Sequence, residues 1–407
     1  MKTEKTKKDV SNNVVAKNNG FGIISVIIII VITALVSGVA TGVIVMNNYK
    51  DVSIKNVNLS DDKNLQEFVD LYGTILSKYY DEVDKEGMIK AAQEGMINFL
   101  DDKYTTFLSD TEYNSIIEGL ASDYKGIGVT ISNNVIEKVS ANSPAEKAGL
   151  LEGDIIVSVN NTNVESFSSA EISSMIKNND IKTVSLVIRR NDILTNYTIE
   201  KSNIEYPYVS SKLIDNTTIG YLSISAFSTN LASQVESELK KIEGSNISGL
   251  IIDLRNNGGG YLNSVTETAS IFLDKGSTIF HLSSTSGKKV VKDETDESRK
   301  YPIVVIMNKQ TASAAEILAA SLKQSYNAVL VGTQSFGKGK VQQISSLASG
   351  DTVKYTTAEW LTPNGVCIDG VGLNADHFVE LTYKYNENNE IIGYEDSQLD
   401  KAIELLK

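Results

Sequence analysis

A single cysteine, Cys367, excludes an internal disulfide and any cysteine-built metal site in this 407-residue chain. Only two histidines, His281 and His377, are available, so a histidine-based triad or multi-histidine metal centre has almost nothing to draw on. Both read as ordinary surface or strand residues. Four prolines and no biased repeat exclude a fibrous or low-complexity chain, and 41% hydrophobic with 22% charged residues is the composition of one that folds. Positive charge is short as well: 38 Lys and Arg face 51 Asp and Glu, a net charge of -13. Lys2, Lys5, Lys7, Lys8 and Lys17 all sit in the first twenty residues, so the body is more acidic still. A body of that sign repels a phosphate backbone, which argues against nucleic-acid binding and leaves polypeptides as partners. The length exceeds what one core serves and implies two or three folded units.

The longest stretch without charge, residues 21–45, is rich in Ile and Val and exceeds the ~20 residues a membrane-spanning helix needs. It is also longer than the apolar part of an ordinary cleaved signal peptide, the rival reading. Lysines crowd its N-terminal side, while Lys50 and Asp51 cancel on the other. The positive-inside bias therefore keeps the basic tail, 1–20, in the cytoplasm and the remainder outside, at the cell membrane. Gly38 and Gly42 are spaced as in helix-packing pairs and leave a homo-oligomer open.

A linker and helical region, 46–106, follows. Leu65, Phe68, Val69, Tyr72, Ile75, Leu76 and Tyr79 keep a helical period behind Asp61 and Asp62, and a second periodic stretch, 88–100, follows a break at Gly87. From Tyr124 the pattern changes to short strands. Gly126, Ile127 and Gly128 form a turn whose N–H groups make a nest for a carboxylate. Ser143-Pro144-Ala145-Glu146 then begins a short capped helix, Gly149 stops it, and a buried strand follows Gly153 and Asp154. Together these segments resemble a PDZ domain over 107–193, a small α+β, barrel-like module. Such modules take a peptide as an added strand with its C-terminal carboxylate on the glycine loop.

Residues 194–385 alternate buried strands (219–227, 250–254, 303–307, 329–331) with helices, an α/β plan, and 386–407 form a C-terminal segment. The run Asp253 to Gly260 ends one strand in an N–H-rich glycine turn suited to an anion. Ser313, with Glu316 three residues on, forms a capping box at a helix start; a hydroxyl there, beside orphan N–H groups, is equally placed to attack a carbonyl. Lys338 completes G-x-x-x-x-G-K, but Gly339 stands where a phosphate-binding loop has Ser or Thr, and a strand follows instead of a helix. The alternative makes Lys338 a general base for Ser313. That role needs a neutral amine, hence burial without a neighbouring carboxylate. Gln342, an even number of residues on, would share its strand face and orient the amine.

Thr311 to Glu316, with Phe336 to Gly339 and Gln342, resemble the catalytic segments of the carboxyl-terminal processing proteases. The resemblance extends over the whole chain beyond the tail, including Trp360 to Gly365 and Asp369 to Gly372. It implies a membrane-anchored, extracytoplasmic Ser-Lys serine endopeptidase with a crotonase-like α/β core and an inserted PDZ domain. It would cut proteins in their C-terminal region after the PDZ domain binds, and is gated by, the substrate C-terminus. Ser313 would be the nucleophile, Lys338 the base and Gln342 its positioner, with an oxyanion hole of Gly259 and Ala314 N–H groups. Neither metal nor cofactor is implied. Family members carry a proline where Gly258 and Ala375 stand here. The first change leaves the oxyanion turn freer without removing its backbone donors. A catalytically inactive PDZ scaffold at the membrane is the alternative.

Overall fold

The computed structural model of the chain describes residues 62–178, 181–385 and 391–407. The expected basic tail and membrane span lie outside the described residues; among those described, no helix is long and apolar enough to cross a membrane. The chain divides into compact units at Lys85 and Glu86. In the first, the helix Lys63–Lys78 starts on Asp62, whose carboxylate accepts the N–H groups of Asn64 and Leu65 at 3.0 and 3.2 Å. The next helix, Lys85–Phe99, begins ahead of Gly87 instead of after it.

The larger unit, Glu86–Lys407, is built on a six-stranded sheet. Val209–Leu213 runs antiparallel to Ile219–Ile224; from there Gly249–Asp253, Ile303–Met307, Val329–Gly332 and His377–Phe378 follow in parallel. Every residue of Gly249–Asp253 and Ile303–Met307 is buried. These continuous apolar runs follow from having both faces covered. Leu250, Ile252, Ile303, Val305 and Met307 join the larger core with the helices Leu231–Glu243, Leu262–Ser270 and Ala314–Ser321. Ile251, Val304 and Ile306 face the C-terminal helix Ser397–Leu406 through Ala402. Each such side chain, fully buried, contributes roughly 1.5 to 3 kcal/mol. The C-terminal segment is thus the second outer layer of the sheet. Arg255 ties it down, bridging Asp253 at 2.6 Å and Asp396 at 2.7 Å.

A second, five-stranded sheet carries Lys340–Ser346 on Thr352–Leu361, which also pairs with Thr106–Leu108 and Thr278–Ser284. Residues 107 and 108, expected at the start of the PDZ range, are therefore hydrogen-bonded into this sheet. The PDZ strands proper run from Val129–Ser132 to Ile193–Glu200 around a core that includes Ile136, Ile156, Ile172, Leu186 and Ile188. Ser143 and Ser168 cap its two helices, Pro144–Lys147 and Ser169–Lys177. Buried Asp154 takes a bidentate pair from Arg190, both bonds 2.6 Å.

Candidate active site

In open parallel sheets, ligands bind beyond the carboxyl ends of the strands, where the chain must turn toward a helix. Three adjacent strands deliver the expected site to that edge. Gly249–Asp253 leads into the glycine turn, Ile303–Met307 into Ser313, and Val329–Gly332 into the loop that carries Lys338. The three connections are stitched together. Thr311, fully buried, donates from Oγ1 to the Leu254 carbonyl at 2.8 Å. Ala312 N–H donates to the Asn257 carbonyl at 2.9 Å, and Phe336 N–H to the Thr311 carbonyl at 3.0 Å.

Ser313 precedes the helix Ala314–Ser321 with φ 56° and ψ −119°. Such a conformation costs a non-glycine residue on the order of 1 to 3 kcal/mol and persists only where neighbours enforce it. The enforcing group is Glu316. Its side chain is wholly buried, and its Oε2 accepts the Ser313 N–H at 2.8 Å and the Lys338 N–H at 2.9 Å. Its Oε1 accepts the Gly337 N–H at 2.8 Å and the Ser335 hydroxyl at 2.5 Å. Glu316, legible in sequence only as the acid of a capping box, is thus the buried anion that joins the serine segment to the lysine loop.

The lysine loop is held from its other side too. The Lys338 carbonyl accepts the indole N–H of buried Trp360 at 2.9 Å, and the Gly339 N–H donates to Asp369 at 2.9 Å. Gly337, at φ 86°, has no room for a side chain, because a Cβ would lie 2.7 Å from the Gly372 nitrogen. The late segment 360–372 therefore secures the lysine. Among the described residues no carboxylate forms an ion pair with the Lys338 amine, which sits 5.6 Å from the Tyr104 ring centre. Burial pushes its pKa below the ordinary lysine value; the charge of Lys354 adds to that, and Glu316 opposes it.

Two expected details differ. Lys338 lies before the strand Lys340–Ser346, and a bulge separates Val341 from Gln342, so simple alternation does not put Gln342 and Lys338 on one face. Gln342 Nε2 is buried without a hydrogen-bond partner instead of engaging the amine. Gly259 was expected to offer a free oxyanion donor, but its N–H is taken at 2.9 Å by Oδ1 of Asn257, a buried side chain that also donates to the Ile224 carbonyl. The short Asn side chain closes a turn over its own backbone two residues on. Gly259 nevertheless abuts the serine: at φ 100°, a Cβ there would lie 2.8 Å from Ser313 Cβ and 2.9 Å from the Ala314 nitrogen.

In the PDZ domain, Gly126 ends the strand Asp123–Gly126, and Ile127 is buried with its carbonyl accepting the Ala145 N–H at 2.9 Å. Gly128, φ 82°, is required because a Cβ would meet Ser143 Cβ at 2.4 Å. The adjoining cavity, between Ile127, Val129, Ile131 and Ile176, is only about 20 Å³, room for about one water. Lys177 also lines it, donating to the Tyr206 hydroxyl at 3.0 Å with its amine over the Tyr124 ring. Among the described residues no His, Cys, Asp and Glu cluster is arranged to hold a metal.

Comparison with known proteins gives three domain matches: peptidase family S41 over residues 218–379, a PDZ domain over 135–190, and the activating protease CtpB N-terminal domain over 37–112. The chain is 33% identical to the carboxy-terminal processing protease CtpA of Bacillus subtilis over 359 residues, 87% of this chain and 76% of the relative. It is 30% identical to a CtpA-like serine protease of Staphylococcus epidermidis over 389 residues, 93% and 77% of the two chains. Among solved structures, the photosystem II D1 C-terminal processing protease aligns at 26% identity and a TM-score of 0.48, covering 78% of this chain and 88% of that one.

Proposed function

Since the chain belongs to the carboxy-terminal processing proteases of peptidase family S41, a serine peptidase with a PDZ domain, we propose that Ser313 and Lys338 form its catalytic dyad. The observation that carries this reading is the shared acceptor: one oxygen of buried Glu316 holds the backbone of both residues, beside a strained serine and an unpaired, pKa-depressed amine.

Neutral Lys338 takes the Ser313 Oγ proton as Oγ attacks the scissile carbonyl. The resulting oxyanion is met by the Ala314 N–H, an orphan donor at the first helical position and on the positive end of the helix dipole. The Gly259 N–H becomes the second donor once Asn257 releases it. Collapse breaks the C–N bond, and the Lys338 ammonium returns its proton to the leaving amine. Water, deprotonated by Lys338, then hydrolyses the ester, freeing Ser313 and a new carboxyl terminus.

The substrates are polypeptides, selected by their C-termini at Gly126, Ile127 and Gly128 and cut in their C-terminal region. Peptide insertion widens the small PDZ cavity and gates the protease core, whose architecture is crotonase-like. The uncharged run 21–45 anchors the protein in the cell membrane with its catalytic part extracytoplasmic, as a monomer or homo-oligomer. The test is cleavage of an unstructured protein by the purified full-length chain. Ser313→Ala and Lys338→Ala each abolish it, and a C-terminal peptide accelerates turnover of a short unrelated substrate. Persistent cleavage by either variant refutes the dyad, and unchanged turnover with peptide refutes gating.

A further inference from the structure

Among the described residues six buried side-chain polar atoms have no geometrically acceptable hydrogen-bond partner; two of them are the Tyr104 hydroxyl and Gln342 Nε2, and the Thr356 hydroxyl near them is satisfied only by a loose approach to Asp102. These three residues belong to one neighbourhood. Gln342 lies opposite Thr356 in the sheet, Thr356 N–H donates to Thr105 Oγ1 at 3.1 Å, and the adjacent Tyr104 faces the Lys338 amine at 5.6 Å. Folded proteins rarely leave such groups unsatisfied, and two of them beside the Lys338 amine mark a polar seat that a further state fills.

Tyr104 reaches this seat from outside the S41 match, within the stretch 37–112 that matches the N-terminal domain. Its placement is fixed from the sequence upward. Asp102 accepts the Tyr104 N–H at 3.0 Å and the Thr105 hydroxyl at 2.7 Å, and Thr106 pairs with Lys354 where Thr106–Leu108 joins the second sheet. The charged groups acting on Lys338 are Lys354 from that sheet and Glu316 from the serine helix. A ring within about 6 Å also attracts an ammonium, which favours the protonated form. At 5.6 Å that attraction is at its outer limit, and burial of the amine acts the other way, favouring the neutral form.

We propose that Tyr104 is a positioning residue for Lys338: its ring walls the amine off from water, and its hydroxyl gives the neutral amine the hydrogen-bond partner that holds it toward Ser313. The inference rests on the dyad reading. It is tested with the full-length protein and an unstructured protein substrate, following kcat and KM from about pH 6 to about pH 10 for Tyr104→Phe, Tyr104→Leu and Lys338→Ala. Tyr104→Leu lets water reach the amine, so the acidic limb of kcat/KM moves up by about one pH unit; cleavage falls about tenfold at neutral pH and recovers in alkali. Tyr104→Phe keeps the limb in place and lowers kcat about three- to tenfold with KM unchanged. A Leu variant whose loss is the same at every pH, or a Phe variant with unaltered kcat, overturns the proposal; if the Leu variant does not fold, the Phe variant decides alone. An active Lys338→Ala defeats the dyad itself, whereas an inactive one beside wild-type-like Tyr104 variants defeats only the role of Tyr104.

Discussion

The backbone N–H groups of Ser313 and Lys338 donate to the same oxygen, Oε2 of Glu316, at 2.8 and 2.9 Å. With Ser335 and Gly337 on Oε1, one buried carboxylate accepts four hydrogen bonds and fixes the two halves of the site to each other. Glu316→Gln tests this directly. An amide has one acceptor oxygen and turns its NH₂ toward donors that then lack a partner, each at a cost of about 1 to 3 kcal/mol. Cleavage is expected to fall about 100-fold or more, with a clear drop in melting temperature. Because Glu316 holds the Lys338 pKa up, the residual activity should show its acidic limb at lower pH than wild type. A stable variant with near-normal kcat/KM would remove Glu316 from the argument.

Gly259→Ala places a methyl group 2.8 Å from the Ala312 carbonyl oxygen and from Ser313 Cβ, at φ 100°. Both the strain and the clash fall on the serine turn and the Ala314 N–H. On the proposed mechanism the expected outcome is a kcat lowered about 100- to 1,000-fold, the scale for losing an oxyanion donor, with peptide binding by the PDZ domain unchanged. Peptide binding followed by fluorescence polarisation separates the two effects; loss of peptide binding would mean the change is global.

After burial, the like charge of Lys354 is the next cause that pushes the Lys338 pKa down. In the proposed dyad the active form of the base is the neutral amine, so cleavage is expected to rise with pH as Lys338 loses its proton. Lys354→Met removes the repulsion, raises the Lys338 pKa and shifts the acidic limb of kcat/KM to higher pH, whereas Lys354→Arg leaves it in place. The shift should shrink in high salt for wild type as the repulsion is screened. A limb unmoved in Lys354→Met would show that burial alone sets the pKa.

The parallel strands were legible because 303–307 is a continuous run of Ile, Val and Met, which only a strand covered on both faces tolerates. The proposed dyad was picked out in sequence by its neighbours, a hydroxyl at a helix start and a lysine between glycines, and the structure brings the two segments together on Glu316. What sequence could not carry was the pairing across long separations. Glu316 read as a local capping acid because its bonds to Ser335, Gly337 and Lys338 exist only after three strands align. The bulge between Val341 and Gln342 is a further feature that one-in-two alternation does not reveal. Tyr104 gave no signal, since its place beside Lys338 depends on Thr106–Leu108 joining Thr352–Leu361.

The conformation of Ser313 yields a prediction about stability that is independent of any substrate. At φ 56° and ψ −119°, a side chain at position 313 is strained, and only glycine visits that region freely. Ser313→Ala keeps the Cβ and therefore the strain, so its stability should match wild type within about 0.5 kcal/mol. Ser313→Gly relieves on the order of 1 to 3 kcal/mol of strain and gives back about 0.4 to 1 kcal/mol through the freer unfolded chain. The glycine variant should therefore be the more stable of the two variants by about 1 kcal/mol, measured by denaturant unfolding under identical conditions. Equal stabilities, or a more stable alanine variant, would mean that the serine turn is relaxed and that Glu316 enforces nothing there.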